Sequence, residues 1–138
     1  MVSNKKYSML GKTYNAEYII CNEENHQNQL KRIRKLPENH KCADCESPFS
    51  NWASVNLGIF LCIQCAQVHR GLGSHISKIK SCMGTCYWYP DEIDNMKENG
   101  NIQSNLIYNP KCEVKRIPKI NIKSSFEKRK KYITIKYS

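Results

Sequence analysis

Two short cysteine pairs constrain this chain more than any other feature. Cys42 and Cys45 form one C-x2-C unit, Cys62 and Cys65 form another, and sixteen residues separate them. A tight turn within each unit aims both sulfurs at one point, and the intervening segment must loop back to bring the pairs together. Four thiolates gathered this way suit a single zinc ion in a closed tetrahedral structural site, with Zn–S bonds of about 2.3 Å. Such binding is worth roughly 10–16 kcal/mol in small domains and is inseparable from folding. Two unrelated thiol pairs, or a redox C-x-x-C, are a poor account of two pairs at this spacing. His40 and His69 flank the pairs as competing ligands, but with four thiolates neither is required. Cys82 and Cys86 sit four apart and Cys21 and Cys112 are isolated. No convincing ligand quartet includes them, and they are expected to be buried free thiols.

A length of 138 residues allows one ordinary domain with a real core. No run reaches the roughly 18 apolar residues that a spanning helix needs, and the first twenty residues lack a signal-peptide core. Membrane spanning and secretion are therefore not expected. Twenty-two Lys and Arg against twelve Asp and Glu give a net charge of +10. That balance favours anionic partners such as nucleic acid, an acidic membrane face or phosphate groups, without choosing among them. Abundant Asn, Lys and Ile leave genomic base composition as an equal explanation.

Residues 1–25 are polar and mixed, and are expected to form an N-terminal extension with at most weak structure. From Asn25 to Leu36 the spacing of Leu30 and Ile33 predicts a helix that stops before Pro37. Residues 52–56 and 59–61 predict two strands joined by a turn at Leu57-Gly58, a hairpin that delivers Cys62 and Cys65. A helix follows from Cys62 to Leu72, then a third strand over 76–82. Pro90, Asp91 and Glu92 mark the first turn of another helix, ended by Gly100. A short helix over 102–109 and a final one over 124–137 complete the pattern, although the Tyr-Ile-Thr-Ile run blurs the last. His75 is expected to be packed and Lys80 to be an exposed cation.

Arg70 lies five residues beyond the last cysteine of the second pair. If both share a helix, a metal fixes the root of this side chain. That arrangement suits an arginine finger, whose guanidinium enters a partner's nucleotide site and neutralises charge during phosphoryl transfer. A surface arginine on a solvated face is the plainer reading. Trp52 likewise reads either as core packing or as support for the arginine.

The run from Cys42 to Ser81 resembles the signature of the ArfGAP family, the GTPase-activating proteins of Arf small GTPases. The matching elements are the two cysteine pairs, Trp52-Ala53-Ser54, Leu57-Gly58-Ile59, His69-Arg70 and His75-Ile76-Ser77. Looser likeness continues through Trp88, Gly100-Asn101, Asn105 and Lys136-Tyr137. The resemblance implies an α+β domain over residues 26–138: a small three-stranded sheet flanked by several helices, with a four-cysteine zinc finger. It implies one structural zinc on Cys42, Cys45, Cys62 and Cys65, a catalytic Arg70, and support of the arginine and the GTPase contact by Trp52 and Ile59. The implied partner is a GTP-bound Arf, on which the chain acts in trans without hydrolysing GTP itself. A cytoplasmic location, peripheral on Golgi or vesicle membranes, follows from the same resemblance, with a basic surface suited to an anionic leaflet. The family's Leu-Asp pair before its tryptophan is replaced here by the segment Cys82 to Trp88. Cys86 then occupies the acidic position, implying altered selectivity among Arf proteins. A non-catalytic Arf-binding scaffold remains an alternative. So does a nucleic-acid-binding zinc finger, with Gln64, Gln67 and Arg70 on one helix and the basic run Lys128 to Lys131.

Overall fold

The computed structural model describes residues 4–138. Its centre is a three-stranded antiparallel sheet of order β4-β3-β5 (numbering in chain order), with β3 at Trp52–Ser54, β4 at Ile59–Leu61 and β5 at Ile79–Ser81. In register, Trp52 faces Leu61 and Ser81, Ala53 faces Phe60 and Lys80, and Ser54 faces Ile59 and Ile79. Successive side chains alternate between faces, so the sheet separates two cores. Ala53 and Phe60 pack with Leu30, Ile33, Trp88, Ile93 and Met96 on one side. Ile59 and Leu61 pack on the other with the four paired cysteines, Val68, Ile133 and Tyr137. The hairpin turn takes residues 55–58, two residues longer than the pattern suggested. Gly58, at φ +72°, is required there: a Cβ would lie 2.5 Å from that of Asn99.

The elements around the sheet are β1 (Lys5–Tyr7), β2 (Thr13–Asn15), α1 (Ala16–Cys21), α2 (Glu23–Arg34), α3 (Ile63–Leu72), α4 (Pro90–Glu98), α5 (Gly100–Val114) and α6 (Phe126–Tyr137). The expected α+β architecture, a small three-stranded sheet flanked by helices, is what the chain adopts. None of the described helices is long and apolar enough to cross a membrane.

Three expectations about the sheet and the elements around it need correction. Residues 4–25 are not weakly structured, since they form the β1–β2 hairpin and α1; residues 1–3 of the expected extension lie outside the described residues. Their order comes from partners far along the chain. Ser8 Oγ and Tyr14 OH donate to Asp91 at 2.6 and 2.9 Å, and the Met9 amide donates to Glu92 at 2.8 Å. Helix α5 runs through Pro110 to Val114; Tyr108 and Cys112 on either side of the proline pack in the core shared with α6, which offsets the roughly 3 kcal/mol that an interior proline costs. Lys80 is not an exposed cation: it is 8% exposed and donates to Glu92 at 2.6 Å and to the Tyr87 carbonyl at 2.7 Å.

Helix α6 closes the molecule despite its β-branched run. The Ser125 hydroxyl caps it by accepting from the Lys128 amide at 3.3 Å. Arg129, Tyr132, Ile133, Lys136 and Tyr137 then recur at helical spacing and are all buried. Lys136, wholly inaccessible, donates to Asp44 at 2.8 Å and to the Asn105 side chain at 2.7 Å. Tyr137 OH donates to the same Asp44 oxygen at 2.6 Å.

Removing one partner of a buried ion pair strands the other charge. Lys136→Met is therefore expected to lower unfolding stability by about 3–5 kcal/mol, measured by urea denaturation. Combining it with Asp44→Asn should cost clearly less than the sum of the single changes.

Candidate functional site

The sulfur atoms of Cys42, Cys45, Cys62 and Cys65 all lie within 4.8 Å of one another, and all four residues are buried. Ligands of a tetrahedral site with bonds of 2.3 Å stand about 3.8 Å apart, so the four are positioned to bind one metal ion. The first pair sits on a tight turn in which the Glu46 amide donates to the Cys42 carbonyl at 3.0 Å, with Glu46 at φ 63°. The Ala43 amide donates to the Phe60 carbonyl at 3.0 Å, tying that turn to β4. Cys62 caps α3, its sulfur accepting from the Cys65 amide at 3.4 Å. Arg129 reaches in from α6 and donates to the Cys65 sulfur at 3.1 Å. Four thiolates around a divalent ion leave two negative charges in excess, which this guanidinium offsets in part.

The remaining thiols do not join the cluster. Burial pushes the Cys82 thiol up to about 12 and also raises that of Cys86, so both stay protonated. Cys112 is buried and donates to the Tyr132 carbonyl at 3.5 Å. Cys21 is exposed on α1 and Cys86 is only partly buried, so the burial expected of these two thiols is not found. His40 is exposed. His69 is fully buried, but its ring serves a hydrogen-bonded chain: Nε2 meets Asp44 at 2.8 Å and Nδ1 meets the Ser77 hydroxyl at 2.8 Å. Ser77 in turn meets Ser54 at 2.7 Å. Burial by itself would raise the Asp44 carboxyl. The Lys136 ammonium and the His69 hydrogen bond outweigh it and hold the group well below the ordinary carboxylate range.

Arg70 follows His69 on the last turn of α3 and points outward. Its guanidinium carbon lies 4.9 Å from the centre of the Trp52 ring, a cation–π contact that narrows the side chain's range without removing it from solvent. Helix α3 ends at Gly73, where φ is +97° and a Cβ would fall 2.6 Å from the His75 ring. His75 itself is exposed rather than packed. Trp52 and Arg70 thus come together at the surface, whereas Ile59 is 0% exposed and can act on this face only through packing. Asp44, Arg129 and Glu92 were missed as structural determinants. The only signal available was the placement of Asp44 between two ligands.

A family profile described as "ArfGap: Putative GTPase activating protein for Arf" matches residues 27–138. The "Stromal membrane-associated protein 1" of Mus musculus is 40% identical over 115 residues, covering 83% of this chain and 26% of that protein. The "Probable ADP-ribosylation factor GTPase-activating protein AGD15" of Arabidopsis thaliana is 48% identical over 80 residues, covering 58% of this chain and 34% of that protein. The chain therefore spans about a third or less of the length of these relatives. Among solved structures, the "ArfGap domain of HIV-1 Rev binding protein" superposes with a TM-score of 0.73 at 25% identity, covering 88% of this chain and 90% of that one.

The geometry predicts one metal ion per chain, measurable by elemental analysis of purified protein. Stripping it with a strong chelator should unfold the cysteine-bearing half, seen as loss of near-ultraviolet dichroism, and Cys45→Ser should prevent stoichiometric loading.

Proposed function

The chain belongs to the ArfGAP family, and on that premise we propose that it stimulates GTP hydrolysis on an Arf-type small GTPase by inserting Arg70 into the GTPase's nucleotide site. The observation that carries this reading is the mounting of Arg70. Its root is held on one side by the cysteine cluster at the start of α3 and on the other by the buried His69. Arg70 is exposed, and its guanidinium lies over the Trp52 ring.

Phosphoryl transfer needs positioning and charge neutralisation more than covalent help. In this division of labour the GTPase holds GTP, magnesium and the water-orienting glutamine. Arg70 brings a planar, permanently charged fork to the oxygens on which charge builds. The ion on the cysteines is proposed to be zinc, which crosslinks the two turns; a closed four-sulfur site leaves no position for water. Trp52 holds the guanidinium over its ring before docking. Ile59, buried in β4 beside β3, keeps the Trp52 strand in place from beneath.

The partner is proposed to be the GTP-bound form, met at the cytoplasmic face of Golgi or vesicle membranes during vesicle trafficking. The net charge of +10 supports peripheral contact with an anionic leaflet, at about 1 kcal/mol per well-placed cation. Selectivity among Arf proteins is assigned to the segment around Cys86, where the family's acidic residue is replaced.

Single-turnover hydrolysis of GTP bound to purified Arf tests this reading. Arg70→Lys keeps the charge but loses the fork, and is expected to remove most of a stimulation worth about 10³–10⁵ in rate, or roughly 4–7 kcal/mol of barrier. Stimulation surviving intact in that variant, or absent from the folded wild-type chain, contradicts it. Cys86→Asp should change the ratio of rates across several Arf proteins while leaving folding unaltered.

A further inference from the structure

The hairpin formed by β1 and β2 precedes the residues matched by the family profile, which begin at 27. It is nevertheless fixed to the rest of the domain. Asp91 accepts from Ser8 and from Tyr14, and the Asp91 amide donates back to the Tyr14 hydroxyl at 3.1 Å. Tyr14 also stacks on Tyr89 at 5.7 Å between ring centres. Glu92, which accepts from the Met9 amide, is completely buried and paired with Lys80 of β5. The turn itself is closed by the Ser8 amide donating to the Lys12 carbonyl at 2.8 Å and by Gly11 at φ +90°. A rigid latch therefore joins the hairpin tip to the central sheet.

The tip is apolar where a short turn is ordinarily polar. Tyr7, Met9 and Leu10 are consecutive but for Ser8, and are 63%, 41% and 37% exposed. Met9 lines two shallow concavities. One, of about 370 Å³, also contains Arg70 and Lys78. The other, of about 550 Å³, is lined by Cys86 and its neighbours from Gly84 to Tyr87. Met9 is the shared wall between the arginine and the segment in which this chain departs from its family. A finger can enter a partner's nucleotide site only if the partner's surface closes around its base. Because Met9 and Arg70 line one concavity, a surface that closes over the arginine comes within reach of Met9.

We propose that the hairpin tip is part of the GTPase-docking surface, with Met9 making an apolar contact to the Arf-type partner that strengthens docking around Arg70. This rests on the GTPase-activating reading given above. The contact acts on association and leaves charge neutralisation to Arg70. Exposed apolar side chains on a rigid support beside a functional group are the kind of patch that partners bury.

The test is single-turnover hydrolysis on soluble, GTP-loaded Arf without vesicles, as a function of the concentration of this chain. Met9→Glu is expected to raise the half-saturating concentration about tenfold, with a much smaller change in the rate at saturation. Met9→Leu should recover most of the wild-type affinity. Met9→Ser, which only trims the side chain, should shift the same way by severalfold, and replaces the glutamate variant if that one loses its native dichroism or its metal. An unchanged half-saturating concentration in folded variants overturns the proposal. So does a fall in the saturating rate alone, or a shift that appears only when anionic vesicles are added. No stimulation by the wild-type chain overturns the underlying reading and this inference with it; the wild-type arm thus reports on the first and the Met9 arms on the second.

Discussion

A carboxylate buried between two metal-ligating cysteines must be neutralised where it stands, and the way Asp44 is neutralised ties this fold together. One oxygen takes Lys136 and Tyr137 from α6, and the other takes His69 from α3. Isolated burial of such a charge costs several kcal/mol, and well-placed partners offset most of that cost. The result is directional: only one docking of α6 against the cysteine turn satisfies every group. Arg129 adds a second clamp from the same helix by reaching the Cys65 sulfur and the carbonyls of Ser124, Asn121 and Ile122. The chain's last helix thus holds both cysteine pairs, one through Asp44 and the other through Cys65.

The consequence for function is stiffness at one exposed residue. An arginine that neutralises a transition state must arrive with little reorganisation, since ordering its side chain subtracts from the stabilisation it gives. Arg70 is next to His69, whose ring is bonded on both nitrogens to side chains that are themselves buried. The backbone at Arg70 is therefore fixed from within, and Trp52 limits the guanidinium from without. The cysteine cluster, the buried polar chain and the aromatic ring all bear on the placement of this one side chain. None of them requires a substrate pocket in this chain, in keeping with the proposal that it completes a site belonging to its partner.

The parts of this arrangement that were legible in the sequence are those whose chemistry is local. Two cysteine pairs declare a shared metal because each pair is four residues long, and Arg70 is visible because it lies five residues beyond Cys65. The sheet's hairpin and the helix from Pro90 follow from turn and cap residues. The rest depends on pairings across the chain. Asp44 and Lys136 are 92 residues apart, Arg129 and Cys65 are 64 apart, and Ser8 and Asp91 are 83 apart. Apart from Cys65, each of these side chains alone resembles an ordinary surface polar residue. Lys80 was misjudged for that reason, since nothing near it in sequence announces Glu92. The strands of the N-terminal hairpin are three residues each, too short for alternation to show, and Pro110 conceals the continuation of α5.

The most direct measurement of the central claim is formation of a complex between this chain and GDP-bound Arf in the presence and absence of aluminium fluoride, which mimics the transferring phosphoryl group. A finger that acts on the transition state binds that mimic more tightly than the ground state. A stable complex that depends on aluminium fluoride and is lost in Arg70→Ala is expected. A complex of equal strength without the fluoride, or one indifferent to Arg70, would contradict it and leave a binding surface in place of a catalytic one.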